Sequence, residues 1–171
     1  MKTVLLFPTE LEAAPLRALR PDLDVRICGV GPVETARTVA QLLAELAPEQ
    51  VVLCGIAGCY DNRLTVGEVV EVESERTAPL PKGFRAEYRA TLSLGLRSVA
   101  SNTVMSVGEA DGQAEIENME GASLFALCKG TTTLCGELRA ISNRVDAPRE
   151  EWDIDTALRN LTTTIDRLFP R

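Results

Sequence analysis

Two short segments in the last third of the chain place polar side chains at the edges of apolar elements. Glu120 precedes residues 121–127, a run of small and apolar residues that predicts a helix entering the core. Asn143 follows residues 138–141, which predict a buried strand. Ligands of an open α/β sheet bind in the crevice at the carboxyl ends of the strands, so a carboxylate and an amide placed there could hold a polar ligand. Either residue alone also has a structural interpretation, because a glutamate can cap a helix and an asparagine can start a turn.

Carboxylates must carry any acid–base chemistry of this protein, because its 171 residues include no histidine. Nucleophiles paired with histidine, histidine proton shuttles and zinc sites ligated by histidine are thereby excluded. The five cysteines form no CxxC pair and lie mostly within apolar stretches. We therefore expect reduced core cysteines and predict no metal site.

The composition is that of a globular protein with a small-molecule ligand. With 45% apolar residues, the chain can bury one substantial core, and we predict a single domain over residues 1–171. The net charge of −7 argues against nucleic acid as a partner, since binding to its phosphates needs a basic face. The apolar residues 3–7 are too few for a signal peptide, and no run approaches the length of a membrane span. We expect a cytoplasmic protein with no membrane partner.

Strands and helices alternate along the sequence, which predicts an α/β fold. This alternation is typical of a mixed, mostly parallel sheet flanked by helices. Thr9 is predicted to cap the first helix, residues 55–58 predict a turn, and residues 74–101 predict a loop with a short strand or hairpin. The predicted strands comprise residues 3–7, 25–28, 51–55, 66–72, 102–107 and 138–141, and the predicted helices comprise residues 10–19, 33–46, 121–127 and 152–168.

The glycine-rich segment 29–32 precedes the second helix but does not predict a dinucleotide site. Glu34 occupies the position of the third glycine in the dinucleotide fingerprint, and no suitably placed acidic residue follows. The two glycines of the segment indicate only a close approach of the backbone at a strand–helix junction. We predict neither NAD nor any other cofactor.

Six short motifs occur in the order seen in the nucleoside phosphorylase/nucleosidase superfamily, which the chain resembles over nearly its whole length. Each motif alone is weak, but six in register are specific, and they imply a nucleoside phosphorylase-like fold. The motifs are Glu12 after the first strand, Gly-Val-Gly-Pro at 29–32, Gly-Ile-Ala-Gly at 55–58, Val-Gly-Glu-Val-Val at 66–70, Met-Glu-Gly-Ala at 119–122 and Arg-Ala-Ile-Ser-Asn at 139–143.

Within the superfamily, residues 141–149, Trp152 and residues 158–161 resemble the futalosine hydrolases most. This resemblance implies hydrolysis of the N-glycosidic bond of a purine nucleoside, futalosine above all, with release of hypoxanthine in menaquinone biosynthesis. The methylthioadenosine/S-adenosylhomocysteine nucleosidases are also similar but carry aspartate where this chain has Asn143. Two alternatives stay open: a nucleosidase of that type, and a relative that binds a purine nucleoside without cleaving it.

The resemblance implies a role for each polar residue of these motifs. The sugar passes through an oxocarbenium-like state during cleavage, so a carboxylate must deprotonate water, and Glu12 is implied in this role. Glu120 is implied to accept from the ribose hydroxyls, with Met119 against the sugar. Asn143 is implied to contact the base, although an amide can pair with a 6-oxopurine or with adenine, and it suits a readily leaving base because it cannot act as an acid. Two further residues are implied to bind substrate, Ala57 and Gly58.

Hydrolysis is favoured over phosphorolysis by the loop after the first strand. The phosphorylases that this chain resembles carry a Gly-Asp-Pro-x-Arg phosphate loop there and an arginine near the third strand. This chain has Phe-Pro-Thr-Glu-Leu-Glu at 7–12 and Leu-Cys-Gly at 53–55. A carboxylate in place of a phosphate site repels the anion.

The stretch between Gly58 and Glu120 is shorter than in these relatives by roughly a strand and a helix. The relatives carry base-stacking aromatic residues and part of a subunit contact there. Phe84, Tyr88 or Tyr60 could replace the aromatic residues, or the pocket could be open. Because a shallow site on a small α/β domain gains its wall from a neighbour, we predict a homo-oligomer.

Futalosine carries a benzoate on its 5′ side, so the resemblance implies a cation beside an apolar wall. Arginine is the usual partner of a carboxylate because its planar fork pairs bidentately. Arg144 and Arg149 follow the last predicted strand, and Arg149 is our candidate for substrate binding. The alternative is a surface arginine paired with Glu150 or Glu151, and Trp152 is expected to anchor the start of the last helix in the core.

Overall fold

One mixed sheet organises residues 2–108 and 113–171, the parts of the chain that the computed structural model describes. Its strands are β1 (Thr3–Phe7), β2 (Asp24–Ile27), β3 (Gln50–Cys59), β4 (Val69–Thr77), β5 (Glu87–Arg89), β6 (Ser98–Thr103), β7 (Ile116–Asn118) and β8 (Leu134–Arg144). The helices are α1 (Glu10–Leu19), α2 (Pro32–Leu46), α3 (Gly121–Cys128) and α4 (Ile154–Leu168).

Most strand pairings are parallel, which confirms the predicted sheet. β1 pairs in parallel with β2 and β3, β3 with β8, and β6 with β4 and β7. The antiparallel pairings join β7 to β3 and β4 to both β5 and β8. Because β8 pairs with both β3 and β4, the strands β3, β7, β6, β4 and β8 close a ring. This ring brings the ends of β7 and β8 to the two sides of β3.

Helices cover both faces of the sheet, as predicted, around two apolar cores. Alternate residues of a strand point to opposite faces, so Val4 and Leu6 of β1 pack with α2 and α3, whereas Leu5 and Phe7 pack with α1 and α4. Apolar residues of α4 at three- and four-residue spacing are buried, which confirms the amphipathic pattern. All five cysteines are buried and free. None of the described helices is long and apolar enough to cross a membrane.

Two strands extend further than the sequence predicts. Residues 55–58, predicted as a turn, belong to β3, which continues to Cys59. Asn143 lies inside β8 and starts no turn. The reason is the same in both cases: β3 and β8 pair from Gln50 to Cys59, with one shift of register between Ala57 and Gly58, and this ladder outweighs the turn preference of glycine and asparagine.

The segment predicted as a loop with a short strand or hairpin contains more structure than expected. β4 continues to Thr77, β5 forms the hairpin with it, and β6 begins at Ser98 and ends at Thr103. The strand predicted at residues 102–107 is displaced, because the strand begins earlier, in the polar residues from Ser98, and ends at Thr103. Two of its hydroxyls have partners inside the protein: Thr103 donates to Glu75 at 2.7 Å, and Ser101 accepts from Asn118 at 2.8 Å. Asn102, between these two residues, is fully buried, and among the described residues its amide has no hydrogen-bond partner.

Candidate active site

A cavity of about 290 Å³ lies at the carboxyl end of β1 and along β3. It gathers side chains from loops, from α1 and from three neighbouring strands of the ring. All of the residues that we singled out as site candidates line it, namely Glu12, Ala57, Gly58, Met119, Glu120, Asn143 and Arg149. Their roles stay predictions, but their meeting in one cavity makes a common site possible.

Glu12 is held in the wall of this cavity by the first turn of α1. Thr9 caps the helix as predicted, since its Oγ1 accepts from the Glu12 amide at 3.3 Å. The Glu12 carboxylate accepts from Thr9 Oγ1 at 2.6 Å and from the Ile56 amide at 3.1 Å. Burial raises the pKa of Glu12 above its ordinary value, and the hydrogen bonds from Thr9 and Ile56 offset part of the increase. A carboxylate with a raised pKa is a better proton acceptor than an exposed one.

Arg139 of β8 is a site residue that the sequence analysis did not single out. Its side chain is 1% exposed and lines the cavity. The guanidinium donates to Glu137 at 2.7 Å and to Glu120 at 3.2 Å. It also donates to Asn118 Oδ1 at 2.9 Å and to the Ile56 carbonyl at 3.2 Å. The signal in the sequence was an arginine inside an apolar strand, because a charged residue is almost never fully buried unless it is paired.

Gly55 leaves the space in which Glu12 and Arg139 approach each other. A Cβ atom at Gly55 would lie 2.6 Å from Arg139 Nη1 and 2.9 Å from Glu12 Oε1. The two polar atoms therefore flank one point on β3. A carboxylate that accepts and a guanidinium that donates around one small space can together orient a water molecule.

Glu120 is the N-cap residue of α3, but its side chain makes no capping bond, so the interpretation as a helix cap is wrong. Its Oε1 accepts from the Gly31 amide at 3.0 Å, and its Oε2 accepts from Arg139. Gly29 and Gly31 both have a φ of 87°, a conformation that favours glycine, and this turn is the predicted close approach of the backbone. Because a carboxylate can accept about four hydrogen bonds, Glu120 keeps acceptor capacity for a ligand.

Asn118 fixes the positions of both Glu120 and Arg139. Its Oδ1 accepts from the backbone amides of Glu120 and Gly121, each at 2.8 Å, and from Arg139. Its Nδ2 donates to Glu75 and to Ser101. With five partners, the Asn118 amide has one defined orientation, which determines where the two charged groups lie.

Two buried carboxyl groups, Glu75 and Glu137, meet behind Arg139 and beside Gly121. A Cβ atom at Gly121 would clash with an oxygen of each. Burial raises the pKa of both groups, and the charge of Glu137 raises that of Glu75 further. Among the described residues, Glu137 Oε2 has no hydrogen-bond donor. A protonated Glu75 can donate to this oxygen, which leaves one negative charge on the pair opposite Arg139.

Asn143, Gly58 and Glu117 lie side by side on β8, β3 and β7. Gly58 is the sheet partner of Asn143 on one side and of Glu117 on the other. The Asn143 Nδ2 donates to the Arg144 carbonyl at 2.7 Å, and its Oδ1 accepts from Ser142 Oγ at 2.7 Å. An amide has two N–H donors and an oxygen with two lone pairs, so these bonds leave a donor and an acceptor site for a ligand.

Arg149 and Trp152 form the end of the cavity next to α4. The Arg149 guanidinium lies 4.9 Å from the centroid of the Trp152 ring, a cation–π contact. In the described part of the chain, Arg149 makes no ion pair with Glu150 or Glu151, in contrast to the alternative interpretation of this arginine. Trp152 is half-buried, precedes α4 and donates to the Ala147 carbonyl at 3.3 Å. The expectation that it anchors α4 in the core is therefore wrong.

Trp152 is also the one aromatic side chain among the described residues of the lining. None of the three candidates proposed from the sequence takes this place. Phe84 is 76% exposed, Tyr88 lines a separate groove, and Tyr60 donates its hydroxyl to Glu117. The sequence could not reveal this because the four residues come from unrelated parts of the chain.

An apolar groove adjoins the cavity, and Val104 lines both. The groove runs between α2, α3 and the loops that follow β4 and β6. Two of its apolar side chains, Leu80 and Met105, are exposed. Among the described residues, no three His, Cys, Asp or Glu side chains are grouped so as to hold a metal ion.

Comparisons with known proteins match most of the chain. The family model of the phosphorylase superfamily matches residues 25–112. A futalosine hydrolase of Thermus thermophilus is 30% identical over 97% of this chain and 94% of its own length. That alignment extends over 212 residues, more than the 171 of this chain, so the relative contains segments that this chain lacks.

Solved structures with the same fold include two from Helicobacter pylori. A futalosine hydrolase has a TM-score of 0.86 at 13% identity, with 98% of this chain and 97% of the other covered. A 5′-methylthioadenosine/S-adenosylhomocysteine nucleosidase has a TM-score of 0.85 at 13% identity, with the same coverage. These likenesses show the nucleosidase fold that the sequence motifs predicted.

Proposed function

Because this chain belongs to the phosphorylase superfamily, we propose that it hydrolyses the N-glycosidic bond of a purine nucleoside, and that this nucleoside is futalosine. The observation that carries the proposal is the meeting of Glu12, Arg139, Glu120 and Asn143 in one cavity. The futalosine hydrolase that shares 30% of its residues with this chain supports the choice of substrate.

The attacking water belongs in the cavity, against the Glu12 carboxylate and the Arg139 guanidinium, which approach each other over Gly55. Arg139 donates to the water oxygen and Glu12 accepts a proton from it. The water oxygen then bonds to C1′ of the ribose, and the bond from C1′ to N9 breaks with its electron pair on the base. The raised pKa of Glu12 assists this step, because the carboxylate takes up the proton more readily.

Glu120 and Asn143 act on the two halves of the substrate. As the bond breaks, the sugar becomes positively charged, and hydrogen bonds from its 2′ and 3′ hydroxyls to the Glu120 carboxylate strengthen. Asn143 contacts the base at the other end of the cavity, where its free N–H can donate to N7 or O6. Met119, Ala57 and Gly58 pack against the nucleoside.

The proposal is tested by incubating the purified protein with futalosine, inosine and methylthioadenosine, each with and without phosphate. We expect release of hypoxanthine from futalosine at the same rate in both buffers, since Glu12 stands where a phosphate anion would have to bind. Release that depends on phosphate would refute hydrolysis. Cleavage of methylthioadenosine alone would favour the second candidate, a nucleosidase of the type whose fold this chain shares. No release from any of the three would indicate a non-catalytic relative.

The Gly55→Ala variant tests whether cleavage needs the close approach of Glu12 to Arg139. Its methyl group must displace Glu12 or Arg139, so we expect kcat to fall at least about tenfold and the free energy of unfolding to fall by about 1–3 kcal/mol. Base release and thermal unfolding measure the two effects. The Gly83→Ala variant is the matched control, because a Cβ there would meet no atom within 4 Å. A wild-type kcat in Gly55→Ala would show that cleavage does not need this approach.

The Arg149→Ala variant tests recognition of the benzoate. We expect the KM for futalosine to rise about tenfold, which corresponds to about 1.4 kcal/mol, while cleavage of inosine, which has no benzoate, stays unchanged. Steady-state kinetics on both substrates provide the measurement. Arg89→Ala is the control, because Arg89 is an exposed arginine paired with Glu87 outside the cavity. Equal losses on futalosine and inosine would show that Arg149 supports the loop instead of the benzoate.

We also propose that a second copy of the chain covers the apolar groove beside the cavity, so that the working form is a homo-oligomer. The support is the continuity of the groove with the cavity through Val104, together with the exposure of Leu80 and Met105. A monomeric mass by light scattering at assay concentration would refute this. We further propose that the protein is cytoplasmic, since its five free, buried thiols suit a reducing compartment.

A further inference from the structure

The cavity contains a third carboxylate, Glu117, for which the proposed mechanism has no use. Glu117 lies on β7 and is 3% exposed. It lines the same cavity as Glu12 and Glu120. Burying a carboxylate is costly unless it is paired with donors, so Glu117 needs donors from the protein, from a ligand in the cavity, or from both.

The sheet register places Glu117 directly opposite Asn143, across Gly58. A Cβ atom at Gly58 would lie 3.2 Å from Asn143 Nδ2 and 3.7 Å from Glu117 Cγ. Val145 Cγ2 lies closer still, at 3.1 Å, so the Asn143 amide and the Glu117 side chain come together around Gly58, where β3 has no side chain. This is the end of the cavity where the base of the nucleoside lies in the proposed function.

Two donors of the protein hold the Glu117 carboxylate in place and leave some of its acceptor positions free. The Tyr60 hydroxyl donates to Oε2, and the Gly108 amide donates to Oε1 at 2.8 Å. A carboxylate has about four acceptor positions, so each oxygen can accept one more hydrogen bond. The group is thus fixed in orientation and still able to accept from a ligand.

6-Oxopurines and 6-aminopurines differ in the hydrogen bond that N1 can make with such a carboxylate. In a 6-oxopurine, N7, O6 and N1–H follow one another along one edge, and N1–H is a donor. In a 6-aminopurine, N1 is an acceptor with no hydrogen, which a carboxylate repels. An amide that donates to N7 or O6 beside a carboxylate that accepts from N1–H therefore matches the 6-oxopurine edge.

We infer that Glu117 contacts N1–H of the base and makes the site selective for 6-oxopurines over 6-aminopurines. This inference rests on the proposed function for the location of the base. It adds a specificity residue that Asn143 alone does not supply, because an amide pairs with either kind of purine.

The test is the Glu117→Gln variant, assayed on futalosine and on its 6-amino analogue. The kcat/KM for futalosine should fall at least about tenfold, because a charge-assisted hydrogen bond is lost. The kcat/KM for the 6-amino analogue should stay the same or rise, because the new amide can donate to N1. Glu115→Gln is the matched control: Glu115 accepts from the Ala100 amide outside the cavity, and its variant should leave both values unchanged.

Binding of the free bases separates a failure of this inference from a failure of the proposed function. Trp152, the one tryptophan of the chain, lines the cavity, so its fluorescence can report binding of hypoxanthine and adenine without turnover. Wild type should bind hypoxanthine at least about tenfold more tightly than adenine, and Glu117→Gln should lose this preference. If neither nucleoside is cleaved but the preference and its loss are seen, the hydrolase proposal fails and the inference stands. Equal losses on both nucleosides, or an unchanged base preference in the variant, would overturn the inference and leave Glu117 as a support of the loop at Gly108.

Discussion

The Glu12→Gln variant is expected to release base about 10²- to 10⁴-fold more slowly than wild type while keeping the wild-type fold. Glutamine has nearly the same shape: its oxygen can still accept from the Ile56 amide, and its NH₂ group can donate to the Thr9 hydroxyl, but it cannot take up a proton from water. The KM should change little, because the loss concerns a step after binding. Single-turnover measurements of base release provide the test.

The Glu10→Gln variant is the matched control. Glu10 lies in the same turn of α1, but it is exposed and pairs with Arg17, so its replacement should leave kcat unchanged. Activity of Glu12→Gln within a fewfold of wild type would remove Glu12 from the role of the base.

The raised pKa of Glu12 makes two further signs of this role measurable. The base works in its ionised form, so the acid limb of the kcat profile should lie above the ordinary glutamate range and should disappear in the variant. Ionisation of Glu12 helps kcat but lowers the free energy of unfolding. Because folding raises the pKa of this group, it stabilises the folded state below its unfolded pKa, and this contribution is lost as the pH rises through the folded value. Glu12→Gln should therefore be at least as stable as wild type near pH 7, and its advantage should shrink on acidification.

The Glu120→Gln variant is expected to lower kcat about 10²-fold, with a smaller change in KM. In its proposed role, Glu120 makes its strongest bonds to the ribose hydroxyls when the sugar is positively charged, so the neutral amide should lose more in the transition state than in the bound substrate. The variant also loses one hydrogen bond within the protein, because the NH₂ group of glutamine cannot accept from Gly31 or Arg139 as the replaced oxygen does. Thermal unfolding of the variant measures that structural part separately.

A 2′-deoxy substrate is the internal control for Glu120. The ratio of kcat for the ribonucleoside to kcat for its 2′-deoxy form should fall at least about tenfold from wild type to Glu120→Gln, because both changes remove the same contact. An unchanged ratio would show that Glu120 supports Arg139 and the turn at Gly31 but does not contact the sugar.

The local parts of the structure were predictable from neighbouring residues. Thr9 and Glu12 are three positions apart, which suffices to predict a capped helix start, and the spacing in α4 predicts its buried face. The cap and the apolar spacing each depend on residues a few positions apart, so neither depends on how distant parts of the chain fold. The absence of histidine likewise limits the acid–base chemistry to carboxylates through composition alone.

The sequence predicted only some of the residues that line the candidate site. Resemblance to a family pointed to Glu12, Glu120 and Asn143, all of which line the cavity, whereas Arg139 and Glu117, which also line it, were not singled out. Arg139 was not predicted because its hydrogen bonds to Glu137, Glu120 and Asn118 form a buried network only in the folded protein.

What the sequence by itself determined is the class of elements, their approximate bounds, the capped start of α1 and the restriction to carboxylate chemistry. What only the tertiary structure decided is which strands became neighbours. β3 lies between β8 and β7, so Gly58 falls between Asn143 and Glu117, and residues 55–58 become strand instead of turn. The physical reason is that strand pairing joins residues distant in the chain and is selected by closure of the whole ring of strands, for which no short segment carries the information.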